Sequence, residues 1–375
     1  MAASPHVLES SNNAEDGQYV GTHITFETTA SAVTNYTVAD AELLSALEVE
    51  SASDAEERGL IGTGIALESA TSVDAAPISL SASTETEATI ESDSGATMQA
   101  YDSQRGHLMV RAADDGSLIS ANLSADTEAE QADERRVVLT KDDGTQGTFI
   151  VLGEGEVTVN ERGNVTANLK DGSSLVYQQY DGERSDDDAD RESLIADGTA
   201  AAEVFVTNSA DGSAEAAADI VQYADDTTVD VTTYSENRIE MTAERTESDG
   251  RIIITSIADS VFESADDIEV MVDGNAAAQV DSTSELVAAT ENGDQSAYAI
   301  RSTSTAEAST DVIVAVNHFS EREVTMQSAS ADDTTDADDT ADETDEEADP
   351  LPGFGVLIAI VGVLGAGLFT ARRMN

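Results

Sequence analysis

Nine Asp-Gly dipeptides punctuate this chain, beginning at Asp16, Asp115, Asp143, Asp171, Asp181, Asp197, Asp211, Asp249 and Asp273. Between them, apolar residues recur at every second position. That combination constrains the fold more than any other feature. Period two sends alternate side chains to opposite faces of a strand. Glycine accepts the positive φ of a tight turn, and Asp tolerates it nearby, so Asp-Gly between two such runs reads as a hairpin. Residues 78–90 (ISLSASTETEATI) read as one long strand, and 135–152 (RRVVLTKDDGTQGTFIVL) as two strands around Asp143-Gly144. Alternation continues through 156–180. In the second half it returns at 228–243, 251–257 (RIIITSI), 268–272 and 311–316. The pairs at Asp115, Asp143 and Asp171 have similar neighbours and even spacing, which suggests a meander or a short solenoid. Helix signals are few: 40–47 (DAELLSAL), capped by Asp40, and 284–290 (SELVAAT).

Charge decides the solvent. There are 76 Asp+Glu against 17 Lys+Arg, for a formal net charge of −59. Only Lys141 and Lys170 are lysines. A chain this negative cannot hold a phosphate backbone, so nucleic acid is excluded as a partner. With no cysteine there is no disulfide framework, zinc ribbon or thiol nucleophile. Self-repulsion on this scale opposes a compact state at ordinary ionic strength. At about 1 M salt the screening length falls to about 3 Å and most of it disappears. Abundant carboxylate, scarce lysine and few large apolar side chains resemble a halophilic proteome.

The C-terminal region is the most specific part. Residues 329–349 (ASADDTTDADDTADETDEEAD) have no apolar periodicity and cannot bury a core. Like charges extend such a segment into a stalk. Residues 354–371 carry no charge, and Arg372 and Arg373 follow. As a helix this run spans about 27 Å at 1.5 Å per residue, close to the hydrocarbon thickness of a bilayer. Basic residues favour the cytoplasmic side, which places the rest of the chain outside. An acidic Thr-rich spacer, Pro352-Gly353-Phe354, an apolar run and a terminal Arg pair together resemble the PGF-CTERM sorting signal of haloarchaeal surface proteins. The resemblance is confined to this tail. It implies processing by an archaeosortase, with a lipid replacing the helix as the anchor, and says little about the ectodomain. Residues 1–30 show no basic start and no apolar stretch of the kind an export signal has. The rival arrangement, a tail-anchored cytoplasmic protein, would put the two arginines outside, against the charge rule.

The expected fold class is therefore mainly β. It has a β-rich ectodomain of hairpins and meanders, as a sandwich or short solenoid, plus one C-terminal transmembrane helix. The expected segments are a β-rich lobe (1–182), a second β-rich lobe (191–328), a disordered acidic stalk (329–350) and the sorting signal (351–375), with the charge run 181–190 as the boundary between lobes. Candidate glycan sites for an exported chain are the sequons at Asn35, Asn122 and Asn164. Asn164, after Gly163 in an expected turn, is the most accessible of the three by sequence. Asp186, Asp188 and Asp190 begin like a calcium loop, but Arg191 stands where glycine should. They read better as solvated linker. His107 and His318 lie in apolar strands and read as structural. There is no catalytic constellation, metal set or cofactor motif.

The function this supports is a membrane-anchored, halophile-adapted surface protein, structural or adhesive in the envelope and not an enzyme. Its partners would be the membrane, an archaeosortase and envelope or S-layer proteins. The alternatives are a surface module binding a solute or polysaccharide and, remotely, a carboxylate-based hydrolase.

Overall fold

The computed structural model describes residues 17–328, apart from 63, 208–216, 236, 259–260, 263–266 and 303–308. The described residues belong to one compact unit. Their strands form four sheets. The first has seven strands, in the order Gly17–Val20, Ile24–Thr28, Val33–Val38, Ala41–Ser51, Ser117–Leu123, Val165–Leu169 and Gly155–Val159. The second has eight, running Thr127–Asp133, Arg136–Lys141, Gln146–Leu152, Ser174–Gln179, Leu108–Arg111, Thr97–Tyr101, Glu87–Ser92 and Ile78–Ser83. These two pack face to face around one core that includes Phe26, Tyr36, Leu47, Ile119, Phe149 and Tyr177. The third sheet is centred on Ala200–Thr207, Asp249–Ala258 and Ser309–His318. The fourth is centred on Arg238–Arg245 and Glu321–Ser328. They enclose a second core with Val204, Ile253 and Val314 on one side and Ile239, Met241 and Met326 on the other.

A third core joins the two sandwiches. The outer face of the second sheet (Met109, Ile150, Val176) meets the outer face of the third (Ile252, Ile254, Ile313). Two helices, α1 (Asp186–Ala196) and α2 (Thr283–Asn292), pack into the same cluster through Leu194, Ile195 and Leu286. Strands central to this stack are covered on both faces, which explains why they read as continuous apolar runs rather than alternating ones. Ser174–Gln179 is buried at all six positions. The described residues therefore form a mainly β stack of two sandwiches, not a solenoid. Asp143-Gly144 closes a hairpin, but Asp115-Gly116 and Asp171-Gly172 each carry the chain from one sheet of the sandwich to the other. The even spacing marks no repeat, because one of the three pairs turns within a sheet and the other two cross between sheets.

Two local expectations fail for identifiable reasons. Residues 40–47 are not a helix. They begin the strand Ala41–Ser51, paired with Val33–Val38 through a two-residue loop. Both loop residues, Ala39 and Asp40, take positive φ (51° and 65°), the conformation of a type I′ hairpin turn built without glycine. Residues 78–90 are not one strand but the hairpin Ile78–Ser83 and Glu87–Ser92. Thr84 turns the chain, its Oγ1 accepting from the Thr86 and Glu87 N–H groups.

The acidic boundary run also folds. Ser185 caps α1 by accepting from Asp188 N–H while Asp188 accepts from Ser185 N–H. Asp186, Asp187 and Asp188 sit in the first turn, where the helix dipole favours negative charge. At the other end Gly198 takes φ 68°, and the Gly198 and Thr199 N–H groups bond to the Ile195 and Leu194 carbonyls. That closes a Schellman motif, so Asp197-Gly198 ends a helix instead of turning a hairpin. Residues 284–290 are helical as expected, within α2.

The apolar run 354–371, with Pro352, Gly353, Phe354, Arg372 and Arg373, lies outside the described residues. No helix among the described residues is long and apolar enough to cross a membrane.

Candidate functional site

The seam between the sandwiches gathers buried charge. Arg105 and His107 come from the segment leading into Leu108–Arg111 of the second sheet. Arg191 and Glu192 lie on α1, and Glu203, Ser256 and Asp311 lie on the three central strands of the third sheet. A carboxylate loses its hydration here and must be compensated by partners. Glu203 is fully buried and accepts from Tyr223 Oη at 2.8 Å. His107 Nε2 lies 3.5 Å from it and Arg105 Nε 3.8 Å. Asp311 accepts from Ser256 Oγ at 2.6 Å and Arg191 Nη1 at 2.9 Å, with Arg105 Nη2 at 3.3 Å. The second Arg191 nitrogen reaches Asp188 at 3.1 Å. Glu192, also fully buried, takes Arg184 in a two-pronged contact at 2.6 Å on each oxygen. Thr148 Oγ1 (2.9 Å), Tyr180 Oη and, at 3.5 Å, Arg136 Nη1 also surround it.

The protonation states follow from these neighbours. Burial alone would raise the Glu203 pKa, but the His107 contact and the charges of Arg191 and Arg105 outweigh it and hold the carboxyl well below its usual range. Burial pushes His107 down, against the pull of Glu203, so its imidazole favours the neutral form. Tyr223 is pushed far up, first by burial and then by the Glu203 charge. The seam is thus a set of fixed charges with each carboxylate enclosed. Ser103 Oγ lies 3.0 Å from His107 Nδ1, but both side chains are buried and away from an open surface.

Further arginines border the same seam. Arg111 pairs with Asp225 at 2.6 Å and donates to the Gln222 carbonyl. Arg135 donates to the Ala196 carbonyl and pairs with Asp197, and Arg136 donates to Ser193 Oγ. In a chain with 17 basic residues, these side chains are spent joining one sandwich to the other.

The other predicted sites lie elsewhere. Asn35 is exposed at φ 53°, its amide donating to Glu27 at 3.1 Å. Asn122, on Ser117–Leu123, and Asn164, just before Val165–Leu169, are half-buried and bonded to each other, Asn164 Nδ2 donating to Asn122 Oδ1 at 3.1 Å. Asn164 Oδ1 also accepts from Leu123 N–H, and Asn122 Nδ2 donates to Glu48. Asn164 does follow a turn at Gly163, yet it is half-buried like Asn122 whereas Asn35 is exposed, so Asn35 is the accessible sequon. In protein purified from its host, a glycan is expected at Asn35, with Asn122 and Asn164 bare. Glycopeptide mapping checks this, and a glycan on Asn164 beside an unmodified Asn35 would contradict it.

Asp186, Asp188 and Asp190 are on α1 rather than in a loop. Asp188 serves Arg191, and Asp190 accepts from Thr283 Oγ1. No group of three candidate metal ligands occurs among the described residues. His107 is the seam residue described above, whereas His318 is exposed. Sequence reasoning missed Arg105, Arg191, Glu203 and Asp311, which are brought together only by the packing of the two lobes. One signal was available: Glu203 stands inside the apolar run AAAEVFV (200–206), where an unpaired carboxylate would be prohibitive.

No family model matches this chain, and no curated protein matches it. Among solved structures, one similar chain is a mutant of glycoside hydrolase family 81 from Clostridium thermocellum, with a TM-score of 0.37 and 10% identity. The alignment covers 83% of this chain and 35% of that one. A likeness at that distance carries no argument about this chain's fold or activity.

Proposed function

We propose that this protein is a surface protein built for molar salt, anchored in the cell membrane through its C-terminal tail, with a structural or adhesive role in the envelope. The observation that carries the structural role is the seam. Glu192, Glu203 and Asp311 are each closed by arginines and hydroxyls that tie one lobe to the other. Such an arrangement favours a stiff two-lobed body over a hinged, substrate-closing one. The anchor rests on the tail sequence, where the acidic spacer, Pro352-Gly353-Phe354, the apolar run and Arg372-Arg373 occur in order. A lipid carried after processing would leave the lobes on a spacer reaching at most about 70 Å.

Replacing Pro352-Gly353-Phe354 by three alanines in the native host tests the anchor. The variant is expected to keep its apolar run and remain unprocessed in the membrane. Intact mass of the membrane-extracted protein reads this directly. Normal maturation of the variant would overturn the sorting-signal reading.

A further inference from the structure

Beside the seam pairs, the two lobes leave a cavity of about 310 Å³. Three arginines line it: Arg105, Arg191 and Arg301. Carboxylates of the segment entering α1 line it as well, among them the exposed Glu183 and Asp187, of which Asp187 lies 3.4 Å from Arg301 Nε. The two signs come from different parts of the chain and border one volume. The arginines are not equally engaged. Arg191 holds its carboxylates at 2.9 and 3.1 Å. Arg105 holds its own only at 3.3, 3.4 and 3.8 Å, whereas a charge-assisted contact normally closes to about 2.7–2.9 Å. The Arg105 side chain is nonetheless only 12% exposed. A guanidinium so enclosed and so loosely held has capacity for another acceptor.

We propose that this cavity binds a small zwitterion of the α-amino-acid type, with its carboxylate on Arg105 and its ammonium at Glu183. The lining disfavours the other ligand classes. A simple anion meets the mouth carboxylates and the field of a strongly negative protein. A simple cation meets three guanidinium groups within. Tyr180 and Ile313 give the lining apolar surface, but an apolar ligand would strip water from three guanidinium groups and offer them no acceptor in return. A sugar ring lacks an aromatic platform, because the Arg191 guanidinium lies 5.8 Å from the centroid of Tyr180 and covers that face. A zwitterion is neutral overall and satisfies both walls at once. The inference concerns the lobes alone and stands whether or not the tail is an anchor.

Isothermal titration of the purified full-length chain in molar KCl tests it, with L-serine as the probe and acetate, ethylamine and glucose as comparisons. Saturable L-serine binding is expected, with acetate and ethylamine each weaker by at least about tenfold, the loss of one charge-assisted contact. Glu183→Gln, at an exposed position that leaves the fold alone, should weaken L-serine about tenfold. Arg105→Gln, confirmed as folded by circular dichroism, should abolish binding. Three results would overturn the proposal: no saturable heat with L-serine, acetate or glucose binding as tightly as L-serine, or unchanged L-serine affinity in Glu183→Gln.

Discussion

Glu203→Ala should cost the folded unit about 3–5 kcal/mol, the loss seen when one partner of a buried ion pair is removed and the other charge is stranded. Arg105 and Arg191 would keep only Asp311 and Asp188 as counter-charges, and the Tyr223 hydroxyl would lose its acceptor. Denaturant unfolding in molar salt measures the loss. A cost under about 1 kcal/mol, the range of an exposed pair, would mean that the seam charges are not dry. Glu203→Gln keeps shape and most of the hydrogen bonding, so it isolates the charge. Its effect should depend on pH. The folded pKa of Glu203 is depressed, so its stabilisation is complete above the unfolded value near 4.5 and is lost as pH falls below it. Asp219 acts with the opposite sign. Burial first, and then the Asp102 charge, push it up to about 6. The stability tied to that proton is complete below the unfolded value of 3.8 and is lost as pH rises through about 6. Wild-type stability should therefore rise from neutral pH to a maximum near pH 5 and fall in stronger acid, and Glu203→Gln should flatten the acid limb. An acid limb identical in the two proteins would remove Glu203 from the account.

The contrast between what was legible and what was not has a physical basis. Strand content was legible because burial of one face imposes period two, as in Arg136–Lys141 and Arg238–Arg245, which alternate in burial. Turn chemistry was legible only where glycine marks it. Ala39-Asp40 turns a hairpin on the strength of its strand partners, and without glycine the DAELLSAL run looked helical. Asp-Gly proved ambiguous because positive φ serves three ends. At Asp273 it closes a two-residue hairpin, at Asp171 it carries the chain between sheets, and at Asp197 it ends a helix. The acidic run 181–190 read as linker because carboxylates repel, yet three of them sit where a helix N-terminus welcomes negative charge. The seam was invisible for another reason. Arg105 and Asp311 are 206 residues apart, and no local pattern announces a pair at that separation.

Dilution from about 1 M salt to about 0.1 M should unfold the two-sandwich unit, since the screening length grows from about 3 Å to about 10 Å. The location of the arginines sharpens this expectation. Seam contacts such as Arg191–Asp311 and Arg184–Glu192 are buried or nearly so and are screened little by salt in either condition. Those cations are also withdrawn from the surface, where Glu128, Glu130, Asp142 and Asp143 remain exposed. Local cohesion at the seam is therefore salt-insensitive, while long-range repulsion over the faces is not. Loss of the β circular-dichroism signal on dialysis, regained on adding KCl, is the expected result. Sucrose separates the two explanations for any rescue, because it strengthens burial without screening charge. At low ionic strength sucrose should restore little of the signal that KCl restores. If sucrose restored it fully, thin cores and not repulsion would be the weakness. If the signal survived low salt unaided, the seam contacts and the three apolar cores would be sufficient by themselves, and the acidic surface would have to be explained by solubility alone.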